Sequence, residues 1–113
     1  MQIEILTVPG CPNRTRALNA VVTSLASLGR LDVDVLEREI ADDRAAVAAM
    51  MIGSPTILVD GVDLFSDSAM APSMSCRLYR EGDVIDGAPS IESLIKRLHT
   101  VISPERDDDR SDG

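Results

Sequence analysis

The chain has 113 residues, 44% of them hydrophobic, and a formal net charge of −8. That length suits one domain with one modest core, and the composition excludes a globally disordered chain. Tyr79 and Phe65 are the only aromatic residues, so base stacking is out of reach, and an acidic surface repels phosphate; no nucleic-acid partner is expected.

Gln2 to Val8 is rich in Ile and Leu and alternates loosely, which predicts a first strand. Pro9-Gly10-Cys11-Pro12-Asn13 breaks it. From Arg14 to Leu28 the apolar residues Leu18, Val21, Val22, Leu25 and Leu28 fall at helical spacing, and Gly29 suits a helix C-terminus. Leu31 to Leu36 alternates through Val33 and Val35, with Asp32 and Asp34 opposite, and predicts a second strand. Asp42 to Met51 predicts a second helix that starts on two aspartates and buries Val47, Met50 and Met51. Ile52-Gly53-Ser54-Pro55 ends that helix. Thr56 to Val59 is a β-branched strand, Asp60-Gly61 a hairpin turn and Val62 to Phe65 the return strand. Ser66 to Pro89 reads as an insertion with strand-like pieces at Cys76–Arg80 and Val84–Ile85. Ser90 to Ile102 is an amphipathic helix with Ile91, Leu94, Ile95, Leu98 and Ile102 on one face, stopped by Pro104. Residues 1–103 are expected to form the domain and 104–113, charged and small, a disordered tail.

The order is βαβαββα. Together with Val8-Pro9-Gly10-Cys11-Pro12 and Gly53-Ser54-Pro55-Thr56, it resembles the thioredoxin superfamily over residues 2–65 and 90–100. The hairpin from Thr56 to Phe65 is similar to glutaredoxin-like hairpins. The segment Ala71 to Tyr79 resembles a smaller group of thioredoxin-like proteins, some of them labelled alkylmercury lyase-like. The resemblance implies an α/β fold with a mixed four-stranded sheet and an insertion before the last helix. It implies Cys11 as the reactive thiol, and a cis proline at Pro55 that faces it. It also implies that Pro12, Ser54, Pro55 and Thr56 contact substrate, with backbone beside Pro55 free to pair with a bound peptide or a small thiol. In dithiol members a second cysteine stands three positions after the first. Here that position is Arg14, so the usual resolving thiol is missing.

Cys11 is expected at the N-terminus of the first helix, where unpaired N–H groups and the helix dipole favour a thiolate. Arg14 and Arg16 are expected to add positive charge. Cys76 lies eleven residues beyond Phe65. An antiparallel return strand delivers the insertion to the rim that holds Cys11, so Cys76 can act as the resolving thiol. The competing expectation is a buried packing cysteine. His99 is expected to be a surface residue near a helix C-terminus.

Met1 leads into the first strand with no basic and apolar leader, and no apolar run is long enough to cross a membrane. A cytoplasmic location, with no membrane partner, is expected. In a reducing compartment two cysteines are thiols or a transient redox pair. Two cysteines and one histidine are too few for a closed zinc site without carboxylates, and no cofactor is expected. Three functions fit: thiol–disulfide exchange with a disulfide substrate or small thiol, a non-catalytic binding module using the Pro55 edge, or soft-metal handling, mercury included, through Cys11 and Cys76.

Overall fold

A computed structural model describes residues 1–65, 72–81 and 83–102. Strand β1 (Gln2–Thr7) is central to a four-stranded sheet. It pairs in parallel with β2 (Asp34–Glu39) and antiparallel with β4 (Thr56–Val59), which pairs antiparallel with β5 (Val62–Asp63). The order β2-β1-β4-β5 makes the sheet mixed, as expected for an α/β chain.

Alternation along the strands sorts the core into two faces. Ile3 and Ile5 of β1 and Ile57 and Val59 of β4 point to one face, under Val21 and Leu25 of α1 (Arg14–Ser27) and Leu94 and Leu98 of α3 (Ile91–Ile102). Leu6 and Leu58 point to the other face, under Ala46 of α2 (Asp43–Ala49), with Ile40 and Met51. Helix α1 ends as expected: Gly29 has φ +70°, and Arg30 N–H closes onto Leu25 O at 2.9 Å. Ser90 caps α3 by accepting from Ser93 N–H at 3.1 Å.

Five elements depart from expectation. The second strand runs over Asp34–Glu39 rather than Leu31–Leu36. Its bounds are set by six successive pairs with β1, from Gln2↔Asp34 to Thr7↔Glu39. As an edge strand it tolerates the charges of Glu37, Arg38 and Glu39, while Leu31 lies outside it and is 81% exposed.

Helix α2 is the second departure. Asp42 caps it by accepting from Ala45 N–H at 2.8 Å. It buries Ala46, not Val47 and Met50, which are 61% and 64% exposed. Its inward face is alanine, with Ala46 packed beside Leu6 and Leu58 and Ala45 and Ala49 against the same cluster. Met50 then adopts φ 58° and ends the helix, which turns Met51 alone into the core.

The third departure follows at once. Ile52–Ser54, expected only to break the helix, forms strand β3. It pairs in parallel with β6 (Ser73–Cys76) of the insertion, Ile52 opposite Ser73 and Ser54 opposite Cys76. Strands β7 (Tyr79–Glu81) and β8 (Val84–Asp86) form a small antiparallel hairpin. The strand piece expected over Cys76–Arg80 is thus two strands, broken at Arg77 and Leu78.

Asp60 and Gly61 have φ values of 49° and 85°, so the hairpin turn needs two left-handed residues, as an Asp-Gly pair supplies. The return strand is shorter than expected. It stops at Asp63, and the Asp63 carboxylate accepts from Phe65 N–H at 2.8 Å and turns the chain. Pro104, the boundary at residue 103 and the tail over 104–113 lie outside the described residues. Among the described residues no helix is long and apolar enough to cross a membrane.

Candidate thiol site

Two consecutive turns carry the chain from β1 into α1. Cys11 N–H donates to Val8 O at 3.1 Å, and Arg14 N–H donates to Cys11 O at 3.3 Å. Gly10, with φ +74°, supplies the left-handed residue of the first turn. Cys11 is half-buried, Pro12 is exposed and both thiols are free. The helix cap is Asn13, so Cys11 sits two residues ahead of it. Asn13 makes no capping bond; its side-chain oxygen accepts from Arg16 at 3.0 Å.

The two arginines are already matched by carboxylates. Arg14 pairs with Glu37 at 2.8 Å, and Arg16 forks onto Asp86 at 3.0 and 2.7 Å. Arg16 holds the Asp86 carboxyl below the usual carboxylate range through those hydrogen bonds. The added positive charge expected at Cys11 is therefore largely spent on partners within the chain.

The Ser54–Pro55 peptide is cis, as the resemblance implies. Ser54 Oγ accepts from Val8 N–H at 3.1 Å and so ties β3 to the Cys11 loop. Ser54, Pro55 and Thr56 are all buried. Thr56 Oγ1 donates to Gly53 O and accepts from Ile52 N–H. The neighbouring carbonyls are taken by the insertion: Ser54 O by Arg77 N–H at 3.0 Å and Pro55 O by the Tyr79 hydroxyl. Instead of free backbone beside Pro55, the chain presents backbone already paired.

Cys76 is exposed, which removes the expectation of a buried packing cysteine. The buried residue is its neighbour Arg77. Its guanidinium meets Asp63 at 2.8 Å, with the two side chains 3% and 8% exposed, donates to Phe65 O at 2.9 Å and stands 4.9 Å from the Tyr79 ring centre. Tyr79 meets Phe65 edge to face at 5.0 Å. The β7–β8 hairpin reaches α1 through the Asp86–Arg16 pair and the contact of Gly87 with Asn13. Asp86 and Gly87 thus stand beside the start of α1.

Sequence reasoning placed Cys11, Pro55 and Cys76 on one rim but missed Arg77, Asp63 and Tyr79. A usable signal was the Arg77–Tyr79 spacing inside a segment otherwise poor in aromatic residues.

His99 is exposed on the last turn of α3. Among the described residues no three His, Cys, Asp or Glu side chains converge as for a metal ion. A groove of about 620 Å³ runs between β7 and α3, past Phe65, Arg80, Lys96 and Arg97, and Cys11 does not line it.

Burial drives the Tyr79 hydroxyl well above the ordinary tyrosine range. Arg77 opposes this, and the charges of Asp63 and of a Cys11 thiolate add to it. The folded chain therefore holds this proton more tightly than the unfolded chain, whose tyrosine titrates near about 10. The stabilisation is complete below about pH 10 and is lost as pH rises beyond it. Tyr79→Phe should cost about 1 kcal/mol at neutral pH through loss of the bond to Pro55 O. It should also flatten the fall in stability above about pH 10. Urea unfolding across that range checks both, and an equally steep alkaline fall in the variant would contradict the assignment.

Compared with known proteins, the chain matches no family model, no curated protein and no solved structure. The molecule stands as a mixed α/β protein with two free thiols, Cys11 and Cys76.

Proposed function

We propose that this chain is a thioredoxin-like thiol–disulfide exchange protein of the cytoplasm, with Cys11 as nucleophile and Cys76 as resolving thiol. One observation carries the reading. The pairing of β3 with β6 sets Cys76 opposite Ser54, whose hydroxyl holds Val8 N–H, and Val8 O in turn holds Cys11 N–H. Support for the thioredoxin-like part comes from the strand order β2-β1-β4-β5, from Cys11-Pro12 leading into α1, and from Pro55 leading into β4.

In the first step the Cys11 thiolate attacks one sulfur of a small disulfide. A mixed disulfide forms and the other half leaves as a thiolate. In the second step the Cys76 thiolate attacks the Cys11 sulfur. The bound half leaves as a thiol after taking up a proton, and a Cys11–Cys76 disulfide remains. Two molecules of a small thiol reverse the sequence. Arg14 stands where a nearer resolving cysteine would be, which gives the second thiol its role.

Limiting alkylation near neutral pH, read by peptide mass mapping, tests the nucleophile. Exposure alone would favour Cys76, because Cys11 is only half-exposed. The proposal expects Cys11 to react faster, by roughly tenfold or more, and Cys11→Ser to remove the fast phase. Faster labelling of Cys76 would sink the assignment of roles.

A further inference from the structure

We infer that β6 fills the place beside Pro55 that an incoming polypeptide would use, so that Cys11 serves small-molecule disulfides and not extended protein disulfides. The inference rests on the exchange chemistry proposed for Cys11 and names its substrate class.

An extended peptide adds to a strand edge through free main-chain N–H and C=O groups. Beside Pro55 the carbonyls are committed within the chain. Met51 O accepts from Ser73 N–H at 2.7 Å and Ser54 O from Arg77 N–H at 3.0 Å. Gly53 O accepts from Thr56 Oγ1, and Pro55 O from the Tyr79 hydroxyl. A second strand has no free carbonyl to find at Met51, Gly53, Ser54 or Pro55.

Packing closes the same edge. Gly53 has φ +130°, and a Cβ placed there would stand 2.8 Å from Arg77 Cβ and 3.1 Å from Ser75 O. The two segments touch with no room for a third between them. Arg77, the residue after Cys76, then fastens β6 from below. Its guanidinium is held by Asp63 and Phe65 O, so lifting the strand would strip a partner from a buried carboxylate.

A small disulfide needs none of these groups. It needs only access to the Cys11 thiol, and half-buried Cys11 lies beside exposed Pro9, Gly10 and Pro12. The same arrangement sets exposed Cys76 in register with Ser54, where the strand bound in place of a peptide carries the second thiol.

The test uses the full chain with Cys76→Ser, so that Cys11 is the only thiol. Its exchange rate is measured with bis(2-hydroxyethyl) disulfide and with the disulfide-linked dimer of an unstructured ten-residue peptide. Each rate is divided by that of free N-acetylcysteine with the same disulfide. The inference expects a normalised preference for the small disulfide of at least about tenfold. It also expects that preference to shrink several-fold when Arg77→Met alone, which leaves buried Asp63 without its partner, unfastens β6. Equal normalised rates in the Cys76→Ser chain would overturn the inference and leave the exchange chemistry standing. So would a preference that the unfastened chain retains in full. If Cys11 reacts with neither disulfide, the exchange reading fails and takes this inference with it. Should the unfastened chain not fold, the comparison in the Cys76→Ser chain still decides.

Discussion

Arg77→Met is expected to lower the unfolding free energy by about 3–5 kcal/mol, the usual loss when one partner of a buried ion pair is removed. The reason lies in what stays behind. Asp63 is 8% exposed and would be left buried with no guanidinium opposite it. Phe65 O would lose its donor as well. Met matches the length of the arginine stem, so lost packing is a minor part of the effect. Asp63→Leu in the same chain removes the stranded carboxylate and should recover much of the loss, because an apolar pair of similar volume is often neutral in such a place. Urea unfolding of the single and double variants measures both effects. A single-variant loss below about 1 kcal/mol would mean that the pair is effectively solvated, contrary to the burial described.

The second large effect belongs to Gly53. Gly53→Ala should cost roughly 2–6 kcal/mol. Part is backbone strain at φ +130°, where side chains are rarely tolerated, and part is overpacking. The added methyl would meet Arg77 Cβ at 2.8 Å, Ser75 O at 3.1 Å and Arg77 Cα at 3.3 Å. These are backbone atoms and a Cβ, which cannot swing aside as the tip of a long side chain can. Gly61→Ala is the internal control. Gly61 also has a positive φ, +85°, but nothing lies within 4 Å of its Cβ direction, so only the left-handed penalty of about 1–2 kcal/mol applies. If the two substitutions cost the same, β6 does not press on β3 as described.

The elements legible in the sequence are those that local periodicity determines. The runs of α1 and α3 show a buried stripe at helical spacing, and Thr56 to Val59 with Asp60-Gly61 carries its own turn chemistry. The elements misread are those that distant pairing determines. Strand β2 is displaced because its limits follow β1, thirty-two positions away in register from Gln2 to Asp34, not its own alternation. Helix α2 spans Asp43–Ala49, too short for a stripe to show, and its inward face is alanine. Strands β3 and β6 are three and four residues long, and each exists only because the other does.

The site divides in the same way. Pro55 is legible because it sits in a short motif, and its cis peptide agrees with that motif. The closure of the Pro55 edge was not legible. It depends on a buried arginine whose partner lies fourteen residues earlier, and an isolated arginine in a Ser-rich segment reads as a solvated surface charge.

Oxidation of the intact chain tests the central claim most directly. Treatment with a small disulfide, followed by mass analysis of the monomer, should show the loss of two hydrogen atoms and the disappearance of both alkylatable thiols. Peptide mapping should recover Cys11 and Cys76 in one disulfide-linked fragment. Either Cys11→Ser or Cys76→Ser should abolish the product, and Cys76→Ser should accumulate the mixed disulfide on Cys11 instead. Such a bond needs the two Cα atoms to come within about 7 Å. A chain that yields only mixed or intermolecular disulfides, with no linked Cys11–Cys76 fragment, would contradict the account.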